Sequence, residues 1–281
     1  IIFIAAIVLL IPSVLGYLHT RVNYDILSYL PEDIETMKGQ DILVDEFGTG
    51  AFSTFVVDGM SNKDASALKA KIEDVDHVKA VLWYDSVADI SIPTDMLPEK
   101  MQKVFLSDEG TLMFILYDTT MSADETMEAV EQIRAISNEQ CFLSGMSAVV
   151  TDIRDLSDKE VPVYVLLAVI LSLVVLSLTM DSFLIPIFFL MSIGMAIIYN
   201  LGTNVFMGEI SYVTKALSAV LQLGVTMDYS IFLWHSYENQ KKIFTDDHKN
   251  AMAHAIAQTI TSVVGSSITT VAGFIALCFM S

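Results

Sequence analysis

A single polar interruption in an apolar stretch stands out for its chemistry. Residues 224–230 read Gly-Val-Thr-Met-Asp-Tyr-Ser and lie within an apolar run, 212–234, that is long enough to form a membrane helix. A carboxylate near the middle of such a helix costs about 2.5–3.5 kcal/mol on insertion, and ionisable residues kept there are usually functional. We therefore interpret Asp228 as a protonatable group, with Tyr229 as its hydrogen-bonding neighbour.

Proton coupling is the chemistry that such a pair could perform. A carboxyl group removed from water favours its neutral form, so it can bind a proton on one side of a membrane and release it on the other when its hydration changes. Lys215 lies 13 residues earlier, about 20 Å along a helix, too far to neutralise Asp228. Two simpler interpretations stay open: a hydrogen-bonded packing residue, or a gap in the helix at a membrane edge.

Polar and small residues at helical spacing predict what surrounds this pair. A polar stripe runs along the same segment: Ser218, Gln222 and Thr226. Small residues recur every four positions in the next apolar segment: Thr261, Gly265, Thr269 and Gly273. Such residues let helices approach closely, although they are common at any membrane helix interface. We expect the two segments to pack together. The candidate lining of the relay is Gly224, Gly265, Ser266 and Thr269.

Composition places the chain in a membrane and its charge in one region. Only 17% of residues are charged and the mean hydropathy is +0.56, whereas soluble domains carry about 25% charged residues. Residues 20–160 hold 28 of the 34 acids and 11 of the 15 bases, which gives −17 of the total charge of −19. Nucleic acid is excluded as a partner, because binding it needs a basic face.

The apolar runs divide the chain into membrane and aqueous parts. Residues 1–19 are predicted to form a first membrane helix with a trimmed start, and residues 20–160 an aqueous domain. Residues 161–281 are predicted to hold four more membrane helices, at 161–180, 183–201, 212–234 and 260–280. Both ends of the sequence interrupt apolar runs, so we expect a fragment of a longer protein.

The connections between these segments predict their orientation. Asp181 falls in a tight turn after the second segment, Gly202 and Gly208 are interpreted as turn residues, and 251–258 as a separate amphipathic helix at the membrane surface. The connection after the fourth segment carries Lys241, Lys242 and Lys249. Basic residues in short loops favour the cytoplasm, so residues 20–160 are expected outside it.

Alternating strand and helix patterns fill the aqueous domain. Strands are predicted at 51–57, 78–84, 111–117 and 141–143, and helices at 61–75 and 122–137. The second helix is expected to begin with a capping box of Ser122 and Glu125. A link with a short helix is expected at 90–103. The order βαββαβ is that of a ferredoxin-like fold, so the fold class is a polytopic α-helical membrane bundle with an external α+β subdomain.

Enzymatic classes find little support in the sequence. No nucleophile–base pair, phosphate-binding loop or metal-ligand spacing is present, and Cys141 and Cys278 fall in different parts of the chain. We therefore expect no enzyme, no metal and no cofactor.

The stretch around Asp228 resembles a known family. Leu223–Leu233 is similar to the fourth membrane helix of the MMPL (mycobacterial membrane protein large) family, within the resistance–nodulation–division superfamily. Further stretches resemble that family in the same order: Asn23–Asp25, Tyr29–Glu32, Gly145–Asp152, Asp181–Pro186 and Thr269–Phe274. The resemblance covers nearly the whole chain. The acidic, apolar-rich sequence is more similar to Firmicutes-type members than to mycobacterial ones.

This resemblance implies a fold and a function. It implies two tandem halves of six membrane helices, each with an external porter subdomain, in a bacterial cell membrane. It also implies export of lipids or other hydrophobic molecules, driven by the proton gradient, with Asp228 and Tyr229 as one part of the relay. The implied partners are membrane lipids, the hydrophobic substrate and a second half of the protein, with a homo-oligomer left open. The alternative is a non-transporting receptor or accessory protein of the sterol-sensing or secretion kind.

Overall fold

A computed structural model of the 281-residue chain describes residues 2–86, 96–107, 109–180 and 182–279. The helices are α1 (Ile2–His19), α2 (Glu35–Asp45), α3 (Asn62–Glu73), α4 (Glu99–Phe105), α5 (Asp124–Ile136), α6 (Met146–Thr179), α7 (Leu184–Thr203), α8 (Tyr212–Ile243) and α9 (His248–Leu277). The strands are β1 (Arg21–Asn23), β2 (Ala51–Asp58), β3 (Val78–Leu82), β4 (Gly110–Tyr117), β5 (Cys141–Ser144) and β6 (Glu209–Ser211). Asp181 and the first part of the link expected at 90–103 lie outside the described residues.

The chain divides into two compact units. One contains Ile1–Arg21 and Pro162–Ser281, and the other contains Val22–Val161. The division falls inside α6, which is one helix of 34 residues with Pro162 within it.

The Val22–Val161 unit is built on a four-stranded sheet in the order β3–β4–β2–β5. Every neighbouring pair is antiparallel, with Phe55 opposite Met113 and Val81 opposite Ile115. Alternate residues of β2 and β4 are buried, because successive side chains of a strand point to opposite faces. Helices α3 and α5 supply the other side of the core.

The core of this unit is aromatic and dense. Trp83, Tyr84, Tyr117 and Phe55 are fully buried, together with aliphatic residues of α3 and α5. The indole Nε1 of Trp83 donates to the Thr111 hydroxyl at 2.6 Å. Trp83 thus buries a large apolar area with its donor paired, whereas the buried Tyr84 hydroxyl has no hydrogen-bond partner among the described residues.

The two core helices begin in different ways. Ser61 caps α3, since its hydroxyl accepts from the Asp64 amide at 3.2 Å. The capping box predicted for α5 is wrong: Ala123 is the cap residue and makes no side-chain bond. Ser122 instead donates to Asp25 Oδ2 at 3.0 Å, a partner 97 residues away. The acids Asp124 and Glu125 in the first turn still suit the helix dipole.

The other unit consists of apolar helices. Within the described residues, four helices are long and apolar enough to cross a membrane: α6, α7 with the 3-10 turn that follows it, α8 and α9. Helix α1 is a shorter apolar helix. Most described residues of the whole chain are helical, as expected for a polytopic membrane protein.

Two differences from the sequence-based expectation concern these helices. Residues 251–258 do not form a separate surface helix, because α9 runs without a break from His248 to Leu277. Gly202 is not a turn residue, since it lies inside α7 and is buried. Gly208 does lie in a turn, with φ +85°, a conformation that favours glycine.

Gly202 serves a close crossing of α7 with α1. A Cβ atom at Gly202 would lie 2.6 Å from Ser13 Cα, a distance that real Cβ atoms do not show. Likewise, a Cβ atom added at Gly16 of α1 would meet the Gly202 carbonyl of α7. Nearby, the Tyr199 hydroxyl donates to the Ala6 carbonyl. Small residues of this kind allow membrane helices to approach closely.

Candidate functional site

The predicted relay pair lies in the middle part of α8. The Tyr229 hydroxyl donates to the Ser266 hydroxyl of α9 at 3.3 Å. Helix α9 also bonds back on itself at this level, since the Thr270 hydroxyl donates to the Ser266 carbonyl at 3.1 Å. The structure therefore brings Tyr229 and one predicted lining residue, Ser266, into direct contact.

Asp228 is less enclosed than the sequence predicts. Its side chain is exposed within this unit, and no hydrogen bond or ion pair joins its carboxylate to a residue in the described part of the chain. Asp228 lies about 100° from Tyr229 around the helix, so α9 contacts the tyrosine and leaves the carboxylate uncovered. The burial expected for Asp228 is not provided by α7 or α9.

The remaining lining residues are placed differently from Ser266. No atom of a neighbouring element lies within 4 Å of an added Cβ at Gly224 or at Gly265. The Thr269 hydroxyl donates to the Gly265 carbonyl of its own helix at 2.9 Å. The small-residue face predicted to pack on α8 is exposed. Its members are Thr261, Gly265, Thr269 and Gly273.

The contact face of α9 is instead a neighbouring stripe with the same spacing. Ala251, Ala255 and Thr259 are buried at 0%, 0% and 4% exposure. Ser266 continues this side of the helix toward Tyr229. Sequence spacing alone does not distinguish the two faces, because both consist of small residues four apart.

A cavity of about 560 Å³ lies between α7, α8 and α9. The predicted polar stripe of α8 lines it, and the structure adds polar neighbours that sequence reasoning missed: Thr214, Asn200 and Thr270. Asn200 Nδ2 donates to Gln222 Oε1 at 3.0 Å, which joins α7 to α8. Thr214 was detectable from the sequence, since it extends the four-residue spacing of the stripe by one turn.

A second cavity, of about 260 Å³, lies between α8 and α9 on the other side of Thr226. Tyr229 and Ser230 line it from α8, and Thr259 and Val263 line it from α9. An open groove therefore lies beside the Tyr229–Ser266 hydrogen bond, along one side of the two helices.

The connected ends of α8 and α9 are held by polar contacts. Gln240 is 7% exposed, and its Nε2 donates to Gln258 Oε1 at 3.0 Å. Ser236 donates to the same oxygen at 3.4 Å. The Phe244 and His254 rings stack with centroids 4.9 Å apart. We call the five side chains Ser236, Gln240, Phe244, His254 and Gln258 the clasp.

Asp247 caps the start of α9. Its Oδ1 accepts from the Asn250 amide at 3.1 Å, and this bond to the backbone holds the pKa of the carboxyl below its usual value. The connection between α8 and α9, residues 244–247, is therefore short and ordered by its own contacts.

Lys215 does not approach the relay. Its ammonium lies 6.0 Å from the centroid of the Tyr17 ring of α1, a contact of the cation–π type. No group of three or more His, Cys, Asp and Glu side chains among residues 2–86, 96–107, 109–180 and 182–279 is arranged to hold a metal ion.

Comparisons with known proteins agree with this architecture. The model of the MMPL family matches residues 28–281. A protein of Streptomyces coelicolor named as a membrane protein is 24% identical over 262 residues, which cover 88% of this chain and 31% of that protein. The membrane protein YdfJ of Bacillus subtilis is 24% identical over 253 residues, which cover 82% of this chain and 33% of YdfJ. The chain thus spans about a third of the length of the curated relatives it matches.

Proposed function

This chain belongs to the MMPL family, and on that premise we propose that it supplies one part of the proton relay of a resistance–nodulation–division exporter. It is a multi-pass membrane protein, by its four apolar helices and its relatives. The observation that carries the proposal is the pair on α8, where Asp228 adjoins a tyrosine whose hydroxyl bonds Ser266 of α9. A carboxyl group next to an ordered hydroxyl within a membrane helix is suited to binding and releasing a proton.

The Val22–Val161 unit is proposed as a porter subdomain of the ferredoxin-like kind. The sheet order β3–β4–β2–β5 and its antiparallel pairs support this, because a split βαβ motif places its first and third strands at the centre. Helices α3 and α5 follow the two central strands, as that motif requires.

This subdomain is proposed to lie outside the cytoplasm. Lys241 and Lys242 end α8 and Lys249 begins α9, so three lysines flank the short connection between these helices. Such connections favour the cytoplasmic side, and alternate crossings then place residues 20–160 on the opposite side. The acidity of that region fits an aqueous, extracytoplasmic setting.

Lipids or other hydrophobic molecules are the proposed substrates, and a bacterial cell membrane is the proposed location. The proton gradient would drive export, so we propose no cofactor and no enzymatic step. The proposed partners are membrane lipids, a second half that carries a further relay pair, and further copies of the protein. Nucleic acid is not among them, given the net charge of −19.

Export in vesicles tests the relay. With a fluorescent phospholipid analogue as the probe, Asp228→Asn in the full-length protein is expected to slow export by about 100-fold or more, the scale of losing a proton-transfer group. Glu238→Gln is the matched control, since it removes another acid of α8 and should leave the rate unchanged. Collapse of the proton gradient should stop export as Asp228→Asn does.

Survival of export in the Asp228→Asn variant at the normal rate would refute the relay. Such a result, with an intact membrane protein, would favour the non-transporting alternative, a receptor or accessory protein.

A further inference from the structure

The Tyr229–Ser266 hydrogen bond depends on the register of α9 on α8. At 3.3 Å it is already long for two hydroxyl oxygens, whose usual separation is about 2.7–2.8 Å. One residue of sliding moves a helix by about 1.5 Å along its axis. A displacement of that size would break the bond, so something must hold the two helices in place.

Close packing beside Tyr229 does not hold them. The cavity of about 260 Å³ occupies the interface there, between Ser230 of α8 and Val263 of α9. Side chains that border a void lose contacts on that side. On this open side of the interface, no packing contact fixes the register of the two helices.

The clasp is the nearest specific contact along both helices. Gln240 lies 11 residues from Tyr229, and Gln258 lies 8 residues from Ser266, about 16 Å and 12 Å along the helix axes. Gln240 is buried, so loss of its partner would leave a largely buried amide without this hydrogen bond. The buried stripe of Ala251 and Ala255 brings α9 close to α8 at the same level.

We propose that the Gln240–Gln258 pair holds α9 in the register at which Tyr229 bonds Ser266, so that Gln240 is a positioning residue for the relay. This inference rests on the proposed function for its consequence in transport, but the register itself is measurable without transport. Gln240 touches no residue of the relay and acts through the helix alone.

Paired spin labels test the register. In the full-length protein in lipid vesicles, labels at the exposed positions Phe232 of α8 and Ile268 of α9 report on the distance between the helices. Gln240→Met keeps the size of the side chain and removes the donor. It is expected to shift or broaden the distance by about 1.5 Å or more, one residue's rise.

Two variants control this measurement. Gln222→Met makes the same change on the same helix but breaks the bond to Asn200 of α7, so it should leave the distance unchanged. Gln258→Glu keeps the oxygen that accepts from Gln240 and should preserve the distance, whereas Gln258→Met should alter it. Equal distances in Gln240→Met, Gln258→Met and the unmodified protein would overturn the proposal.

Transport gives a second and independent readout. Gln240→Met and Ser266→Ala are each expected to slow export of the phospholipid analogue by up to about tenfold, the value of one hydrogen bond. The double variant should be no slower than the single ones, because both changes remove the same contact. Multiplying effects would overturn the positioning role. Unchanged export in Asp228→Asn, with the distance still shifted in Gln240→Met, would refute the proposed function and leave the register role intact.

Discussion

The two units of this chain differ in where they place most of their large apolar side chains. In the Val22–Val161 unit, Phe55, Trp83 and Tyr117 are inside, and acids cover the outside. In the apolar helices, phenylalanine and leucine side chains are exposed, whereas the contacts between helices use Gly16, Gly202 and hydroxyl or amide groups. Hydrophobic burial drives folding in water, but in lipid it gives no advantage, so close approach and hydrogen bonds take its place.

The largest test of this contrast uses one substitution in two places. Phe55→Ala should cost about 3–5 kcal/mol, since it empties part of a packed core. Phe188→Ala removes the same ring from α7, where it is 59% exposed, and should cost less than about 1 kcal/mol because lipid surrounds the ring. Unfolding of Phe55→Ala is followed by Trp83 fluorescence, in a protein that also carries Trp234→Phe. Unfolding of Phe188→Ala is followed by the circular dichroism signal of the helices in detergent. Equal losses of stability in the two variants would contradict this difference between the two units.

The next test concerns the close crossing of α7 and α1, which we expect to stabilise the helices as aromatic residues stabilise the core under the sheet. Gly202→Ala should destabilise the helices by about 3 kcal/mol, the upper range for overpacking, because the added Cβ meets the backbone of Ser13. Gly194→Ala is the matched control in the same helix, where no neighbouring atom lies within 4 Å of the added Cβ. It should be neutral or slightly stabilising by helix propensity. Thermal unfolding of both variants in detergent distinguishes the outcomes, and similar melting temperatures would argue against a close crossing.

The smallest effect is a dependence on pH confined to the aqueous unit. Burial raises the pKa of Tyr117 to about 12, partly opposed by its hydrogen bond with Ser53. Unfolded chains release this proton near pH 10, so between about pH 10 and 12 the unfolded state binds fewer protons than the folded one. Stability is therefore complete below about pH 10 and falls as pH rises, by at most about 1.4 kcal/mol per unit.

Tyr117→Phe should remove this part of the alkaline loss. Urea unfolding of the unmodified protein and of the variant, followed by Trp83 fluorescence at about pH 9 and pH 11, makes the comparison. If both proteins lost stability equally over this range, Tyr117 would not be the group responsible.

The sequence predicted elements whose signals are local. The strands predicted at 51–57 and 111–117 follow from local runs rich in strand-forming residues, and the structure has strands at Ala51–Asp58 and Gly110–Tyr117. Ser122 was misread because its hydroxyl bonds Asp25, which is remote in sequence. No local pattern reveals a partner at that distance.

The site shows the same limit. The polar stripe and Tyr229 follow from helical spacing, and in the structure Tyr229 contacts Ser266 of the next helix. Gly202 is predicted to lie in a turn because glycine ends many helices, whereas in the structure it allows α7 to cross α1 closely. The polar residues at 237–250 suggest a loop and residues 251–258 a separate surface helix, but α9 begins at His248 and continues to Leu277, with Gln258 paired to Gln240 of α8.

The short connection between α8 and α9 bears on how the chain enters a bilayer during synthesis. Only residues 244–247 separate the two helices. This connection is too short for one helix to insert into the bilayer while the other stays in the aqueous phase. They would be released into lipid as a preformed helical hairpin, with Tyr229 already facing Ser266. The insertion cost of Asp228, about 2.5–3.5 kcal/mol, is then met by the apolar residues of two helices together. A change that lengthens this connection would therefore act first on biogenesis, as a failure of α8 to integrate.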